Sequence, residues 1–174
     1  MLPELLLSTL LGYVTTALIY YFNHRCIYHG KPRGPEFIKK AWRFWASFHL
    51  IHHKHWKQND PETGTYVQVP NSAKILGLCL VSAIVFITMN PGLGAGIMIF
   101  FVVYGIRHGT IHGFTVAKVF KPAKKTSKYY RHHMSHHMPG GIKYNHSGVH
   151  PLIDRMFGTY HDPEDIVSQF ESRR

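Results

Sequence analysis

Two stretches of this 174-residue chain carry almost no charge, and they restrict what it can fold into more than any other feature. Leu5 to Asn23 reads LLLSTLLGYVTTALIYYFN, 19 uncharged residues, close to the ~20 that carry a helix across a bilayer. Ala73 to Gly105 holds a single charge, Lys74, and is broken in the middle by Asn90-Pro91-Gly92. Each arm offers only ~15 apolar residues, which suits a tight transmembrane hairpin, or a thin or re-entrant one. A pair of buried helices in a soluble protein is the competing reading, but a soluble core of this size has little use for such uncharged runs. A secretory signal fits Leu5–Tyr21 poorly. The run is long for an h-region, no basic segment precedes it and no small-residue cleavage site follows.

The net charge of +11 is concentrated beside those stretches. Between Arg25 and Lys57 there are eight Lys/Arg and one acid, and between Lys118 and Arg131 six and none. The Asn90-Pro91-Gly92 tip has no charge. The positive-inside rule therefore puts residues 24–72 and 109–161 on the cytoplasmic side, with the N-terminus and the hairpin tip outside. The expectation is an all-α integral membrane protein of one domain, residues 1–174. It has about three transmembrane helices, near 5–23, 73–89 and 93–108, a cytoplasmic-side histidine-rich helical cap and a solvated acidic tail over 162–174. The basic belts lie against anionic headgroups. Nucleic-acid binding would use the same charge, but the chain has no nucleic-acid module. Two cysteines, Cys26 and Cys79, are too few for a disulfide framework, and Cys79 reads as a small apolar residue of the hairpin.

Fifteen residues are histidine, and ten fall into four groups: His24 and His29; His49, His52 and His53; His108 and His112; His133, His136 and His137. Pairs at i,i+3 and i,i+4 share a helix face, so each group can offer two or three ring nitrogens in one direction. Ten exceed what one ion uses and suit two. Residues Glu36–Lys57 read as an aromatic and basic helix beside the headgroups, on which His49, His52 and His53 converge and His55 points away. Tyr129–Met138 reads as a helix stopped by Pro139-Gly140-Gly141, with His132 out of phase as outer support. Phe114–Phe120 reads as a short interfacial segment, and residues 58–72, with the TYVQV strip, as a loop returning to the membrane. His24 and His29 lie about 140° apart on an ideal helix, so both reach inward only if the last turn is distorted. Gly30, Pro32, Gly34 and Pro35 mark where that helix stops.

Imidazole binds zinc, copper, iron and nickel alike. A closed structural zinc site needs four ligands and a zinc hydrolase three plus water; neither explains ten. Two adjacent ions would leave positions for an oxygen species. Soluble bundles use Glu and Glu-x-x-His for that work, whereas here Glu is nearly absent from the relevant helices and neutral imidazoles must serve. Their second nitrogens then need acceptors, for which Asp60, Asn145 and Asp154 are candidates. A hydrocarbon entering from the bilayer would meet such ions just inside the headgroup plane. A metal relay would instead place its ligands along a span. That relay, or a membrane zinc hydrolase, stands as the alternative.

H24-R-C-I-Y-H29, H49-L-I-H52-H53, H108-G-T-I-H112 and H133-M-S-H136-H137 resemble the histidine boxes of the fatty acid hydroxylase/sterol desaturase superfamily. D154-R-M-F-G-T-Y160 is similar to the segment that often follows the last box. The compact size and the His-Arg-x-x-x-His-Gly opening are also similar to carotenoid hydroxylases. The resemblance runs from about His24 to Tyr160. It implies a non-haem di-iron monooxygenase that hydroxylates a fatty acyl, sterol or carotenoid C–H bond, or a desaturase on the same centre. Its two Fe ions would be held by His24, His29, His49, His52, His53, His108, His112, His133, His136 and His137, with Zn a possible occupant as purified. It further implies O2 as co-substrate, a lipid entering from the bilayer, and a cytochrome b5-like or ferredoxin-like electron donor. The membrane would be the endoplasmic reticulum in a eukaryote and the inner membrane in a bacterium. Many relatives have four spans where three are clear here. Asn145-His146-Ser147-Gly148 departs from the simpler Asn-aromatic-Gly expected at that place, and His146 reads as a loop histidine, with an added site residue as the alternative.

Overall fold

Leu2–Phe22 forms a helix, α1, apolar on every side, as a segment surrounded by hydrocarbon requires. It runs without a break into a π-helical turn, Asn23–Tyr28. A computed structural model describes residues 2–55, 72–112, 121, 123–124, 126–138, 140–148 and 150–164 of the chain. After the π turn come α2 (Glu36–His55), α3 (Ser72–Met89), α4 (Pro91–Ile111) and α5 (Lys128–His137). A 3₁₀ turn (Gly141–Lys143) and α6 (Pro151–Met156) complete the described part, an all-α fold. Asp60, Trp56, the TYVQV strip, Phe114–Phe120 and residues 165–174 lie outside the described residues, as do the side chains of His55 and Cys79.

The expected break at Asn90-Pro91-Gly92 is a one-residue tip. Asn90 caps α4, its side chain accepting from Leu93 N–H at 3.1 Å, and Pro91 fills the first helical position, where no amide is missed. α3 and α4 therefore fold back on each other directly. At 18 and 21 residues they measure about 27 and 31 Å, against a hydrocarbon thickness of ~30 Å. Among the described residues two helices, Leu2–Tyr28 and Pro91–Ile111, are long and apolar enough to cross a membrane. The outer faces of α1, α3 and α4 stay uncovered: Leu7 is 68% exposed, Ile84 60% and Val102 53%.

α1 and α4 form the axis of the molecule because glycines let their backbones touch. A Cβ on Gly96 would fall on the Thr9 carbonyl and 2.6 Å from the Tyr13 amide nitrogen, and one on Gly12 would fall on the Leu93 carbonyl. Small residues at a crossing permit this approach. Phe100, fully buried, fills the space beside it, edge-on to Tyr13 at 5.7 Å. Gly96→Val must push one backbone off the other, and we expect it to destabilise the fold by about 1–3 kcal/mol. Gly105→Ala, whose Cβ meets nothing within 4 Å, should be neutral or gain up to ~1 kcal/mol in helix propensity. Thermal unfolding of the two variants in one detergent checks the contrast.

The C-terminal segment is fastened along α1. Tyr13 Oη lies 2.8 Å from His150 Nε2 and Tyr21 Oη 2.9 Å from Thr159 Oγ1, while the Tyr21 ring stacks on Phe157. α2 is fastened to the π turn through Trp42, whose indole N–H donates to the Ile27 carbonyl at 2.7 Å. Its Phe37 and Phe44 face outward beside Lys40 and Arg43. Both attachments hold histidine-bearing segments against the end of α1.

Candidate metal centre

The π turn brings the first two histidines together. Its i→i+5 pattern, closed by His29 N–H donating to the His24 carbonyl at 3.3 Å, brings onto one side two residues that an α-helix would separate. Their ring centres lie 5.1 Å apart. α2 adds His49 and His53, which share a face and whose Nε2 atoms are 2.8 Å apart. His52 is turned about 100° from His53 and packs instead on His112, 4.5 Å between ring centres. The three α2 histidines therefore straddle two points rather than converging on one. α5 divides in the same way. His136 turns to His29, Nε2 to Nε2 3.0 Å, while His133 and His137, again 3.0 Å apart at Nε2, turn toward α4.

Two sets of nitrogens result. His24, His29, His49, His53 and His136 each present one within 4.8 Å of the others, and His52, His108, His112 and His133 do likewise. His137 lies at the seam. Its Nε2 is 3.0 Å from that of His133, and its ring centre is 4.3 Å from that of His53.

The spacing within the first set suits a cation. His49 Nε2 lies 2.9 Å from His24 Nε2, 3.0 Å from His29 Nε2 and 2.8 Å from His53 Nε2. A neutral imidazole has one N–H and one lone pair. His24 and His136 use their N–H at Nδ1, donating to the carbonyls of His146 and of Tyr144, so each Nε2 is a bare lone pair. One N–H on His49 could not satisfy three partners, whereas one positive ion among them could. Nitrogens ~2.1 Å from an ion and at right angles about it are about 3.0 Å apart, which matches the measured edges. In the second set His112 and His133 meet at Nε2, 3.0 Å apart, and His52 Nε2 is buried with no hydrogen-bond partner, as a lone pair directed at a cation would be.

The rings are also in the right protonation state. Burial, reinforced for most by neighbouring imidazoles, pushes His29 and His52 down to about 4, His136 to about 3 and His53 to about 2. His49, His112, His133 and His137 are held well below the usual imidazole value for the same reasons. All are neutral near pH 7, as ligands must be.

Among the described residues, which do not include Asp60, the acceptors seen behind the rings are not the side chains read in the sequence. Asn145 and Asp154 touch none of the ten rings; the acceptors of His24 and His136 are backbone carbonyls. Carbonyls carry no sequence signature, which is why they escape a reading by residue type. The signal that was present is Asn145 itself, a residue tolerant of left-handed backbone. His132 lies outside both sets, its Nε2–H donating to Asp154 at 3.1 Å. His146 is buried, with its ring centre 5.4 Å from that of His136. Tyr20 and Tyr104, also absent from the sequence reading, share a 2.7 Å hydrogen bond, Tyr20 against His24 and Tyr104 stacked on His108.

Bilayer-length apolar helices ending at two facing sets of imidazole nitrogens define a histidine-box metal enzyme. A family model described as Fatty acid hydroxylase matches residues 9–159. The chain belongs to that family, within the histidine-box di-iron hydroxylase/desaturase superfamily. No curated protein and no solved structure matches it.

Proposed function

We propose that the protein is an integral-membrane lipid hydroxylase, acting on a fatty acyl, sterol or carotenoid C–H bond with O2 at two iron ions. The observation that carries this reading is the pair of adjoining nitrogen sets at the end of the apolar α1–α4 pair. Ten ligands are His24, His29, His49, His53 and His136 for one ion and His52, His108, His112, His133 and His137 for the other. When bound, the iron pair supplies the redox chemistry that activates O2.

The chain's own groups set the conditions for that chemistry. Neutral imidazoles donate lone pairs, and the His146 and Tyr144 carbonyls hold the protons of His24 and His136 on the side away from the ions. The joined Tyr20 and Tyr104 rings close the space beside His24 and His108 and exclude water from it. The uncovered apolar faces of α1, α3 and α4 lead from the bilayer toward the histidines, a route for a hydrocarbon chain. The basic flanks favour a cytoplasmic-side centre, at the endoplasmic reticulum of a eukaryote or the inner membrane of a bacterium. Electrons come from an acidic cytochrome b5-like or ferredoxin-like protein. A cleft of about 510 Å³ lined by Lys128, Arg131 and Arg155 and also by Asp162 and Glu164, the last paired with Arg131, leaves Lys128 and Arg155 as the cations that support docking there.

Metal analysis of the detergent-purified protein and Mössbauer spectra of an iron-57 sample test the reading. We expect about two irons per chain, antiferromagnetically coupled when oxidised. With a donor and ¹⁸O2, the lipid alcohol should carry the label. Tightly bound zinc, with no lipid oxidation after iron reconstitution, would overturn the proposal.

A further inference from the structure

The two nitrogen sets are supported unequally from behind. In the first set, His24 and His136 donate from Nδ1 to carbonyls of one short loop, those of His146 and Tyr144, the latter at 2.7 Å. Between these carbonyls Asn145 takes a left-handed conformation, φ 55°. Its side chain fixes that bend, donating to Ser135 Oγ (2.8 Å) and the His161 carbonyl (3.1 Å) and accepting from His161 N–H (3.1 Å). The next residues are fixed by Asp154, fully buried. It accepts from the amides of His146 (2.7 Å) and Ser147 (3.1 Å), from the Ser147 hydroxyl, from Thr159 Oγ1 (2.8 Å) and from His132 Nε2 (3.1 Å). In the second set, Nδ1 of His112 and of His133 is buried and finds no acceptor among the described residues.

An N–H donated to a carbonyl fixes the tautomer and orientation of a ligating ring and raises the basicity of its other nitrogen. The His146 carbonyl shares its peptide with the Ser147 amide, which Asp154 holds, and the Tyr144 carbonyl shares its peptide with the Asn145 amide, which donates to the Thr159 carbonyl at 2.9 Å, so neither carbonyl can swing away. We propose that Asn145 and Asp154 are positioning residues for one metal position alone. The His24–His29–His49–His53–His136 position then takes its ion first and holds it more tightly than the His52–His108–His112–His133 position. The inference rests on the di-metal reading above.

The test uses the full-length protein in detergent, stripped with a chelator and titrated with Zn(II) alone against a chromophoric competitor. Iron-57 spectra at half loading show which position fills. Wild type should bind two ions in sequence, the first at least ~10-fold tighter, and half-loaded iron should give one dominant quadrupole doublet. Asp154→Asn should weaken the first ion by about 10–100-fold, the usual cost of losing an outer partner, and leave the second within about threefold. Asn145→Gly keeps the left-handed bend available and loses the side-chain bonds, so it should shift the first ion by about tenfold. The unchanged second ion reports an intact fold, which a merely structural role would not spare. Equal affinities in wild type, or both ions weakened alike in the two variants, would overturn the inference while leaving the di-metal reading standing. Fewer than two ions in wild type would overturn that reading and the inference with it.

Discussion

Replacing His49 with Ala should remove one of two ions and cut O2-dependent lipid oxidation by more than ~100-fold. His49 is the hub of the first set: its Nε2 lies within 3.0 Å of three other ring nitrogens. Losing an outer partner costs about 10–100-fold in metal affinity or activity, and removing a ligand that borders three others should exceed that. The variant keeps the rest of the fold, because His49 makes no contact between α1 and α4. Helicity of the stripped protein should therefore match wild type while metal content falls from about two toward one. His112→Ala should remove the other ion, with the remaining iron giving a different spectrum. If both variants kept two ions and full activity, the assignment of these histidines as ligands would fail.

The parts of this molecule legible in the sequence are those written in periodicity and punctuation. Uncharged runs show α1, α3 and α4, and Asn90-Pro91 shows the tip between two of them. The i,i+4 spacing of His49 and His53, and of His133 and His137, shows which rings share a direction. The division of α2 and α5 between two nitrogen sets is harder to see, because it depends on where each helix lies in the assembled fold. His52 and His53 are neighbours in sequence yet serve different sets, since adjacent helical side chains diverge by about 100°. The sequence brings His24 and His29 to one side only if the last turn is distorted, and the distortion is the π turn at Asn23–Tyr28. Backbone groups were invisible altogether. The carbonyls of Tyr144 and His146 have no identity of their own, so residue types pointed instead to Asn145 and Asp154, one bond further out.

Acid should loosen the metal-free fold from about pH 6.5 downward and strip the metals from the folded protein only at lower pH. Only neutral imidazole ligates, so protonation competes directly with the ion. The metal-free fold moves in the same direction. Histidines in the unfolded chain take up protons near pH 6.5, whereas burial holds His29 and His52 down to about 4 and His136 to about 3. Between those values the unfolded chain binds more protons than the folded one, so stability falls as pH falls. The loss begins near 6.5 and accumulates toward 4 and below. Asp154 does not oppose it in this window. Burial raises its carboxyl, but the bonds from His132, Ser147 and Thr159 outweigh that and hold it below the usual carboxylate value, so its contribution is lost only in stronger acid. Thermal unfolding of stripped protein from pH 7 to 5 should show a midpoint that declines steadily. Zinc retention by the folded protein should change little over the same interval and fall steeply only near pH 4 and below, where rings held at about 4 and about 3 begin to take up protons as the ion leaves. A midpoint unchanged across that interval would mean that the rings accept protons inside the fold, which an open, water-filled site would allow and the buried one described above would not.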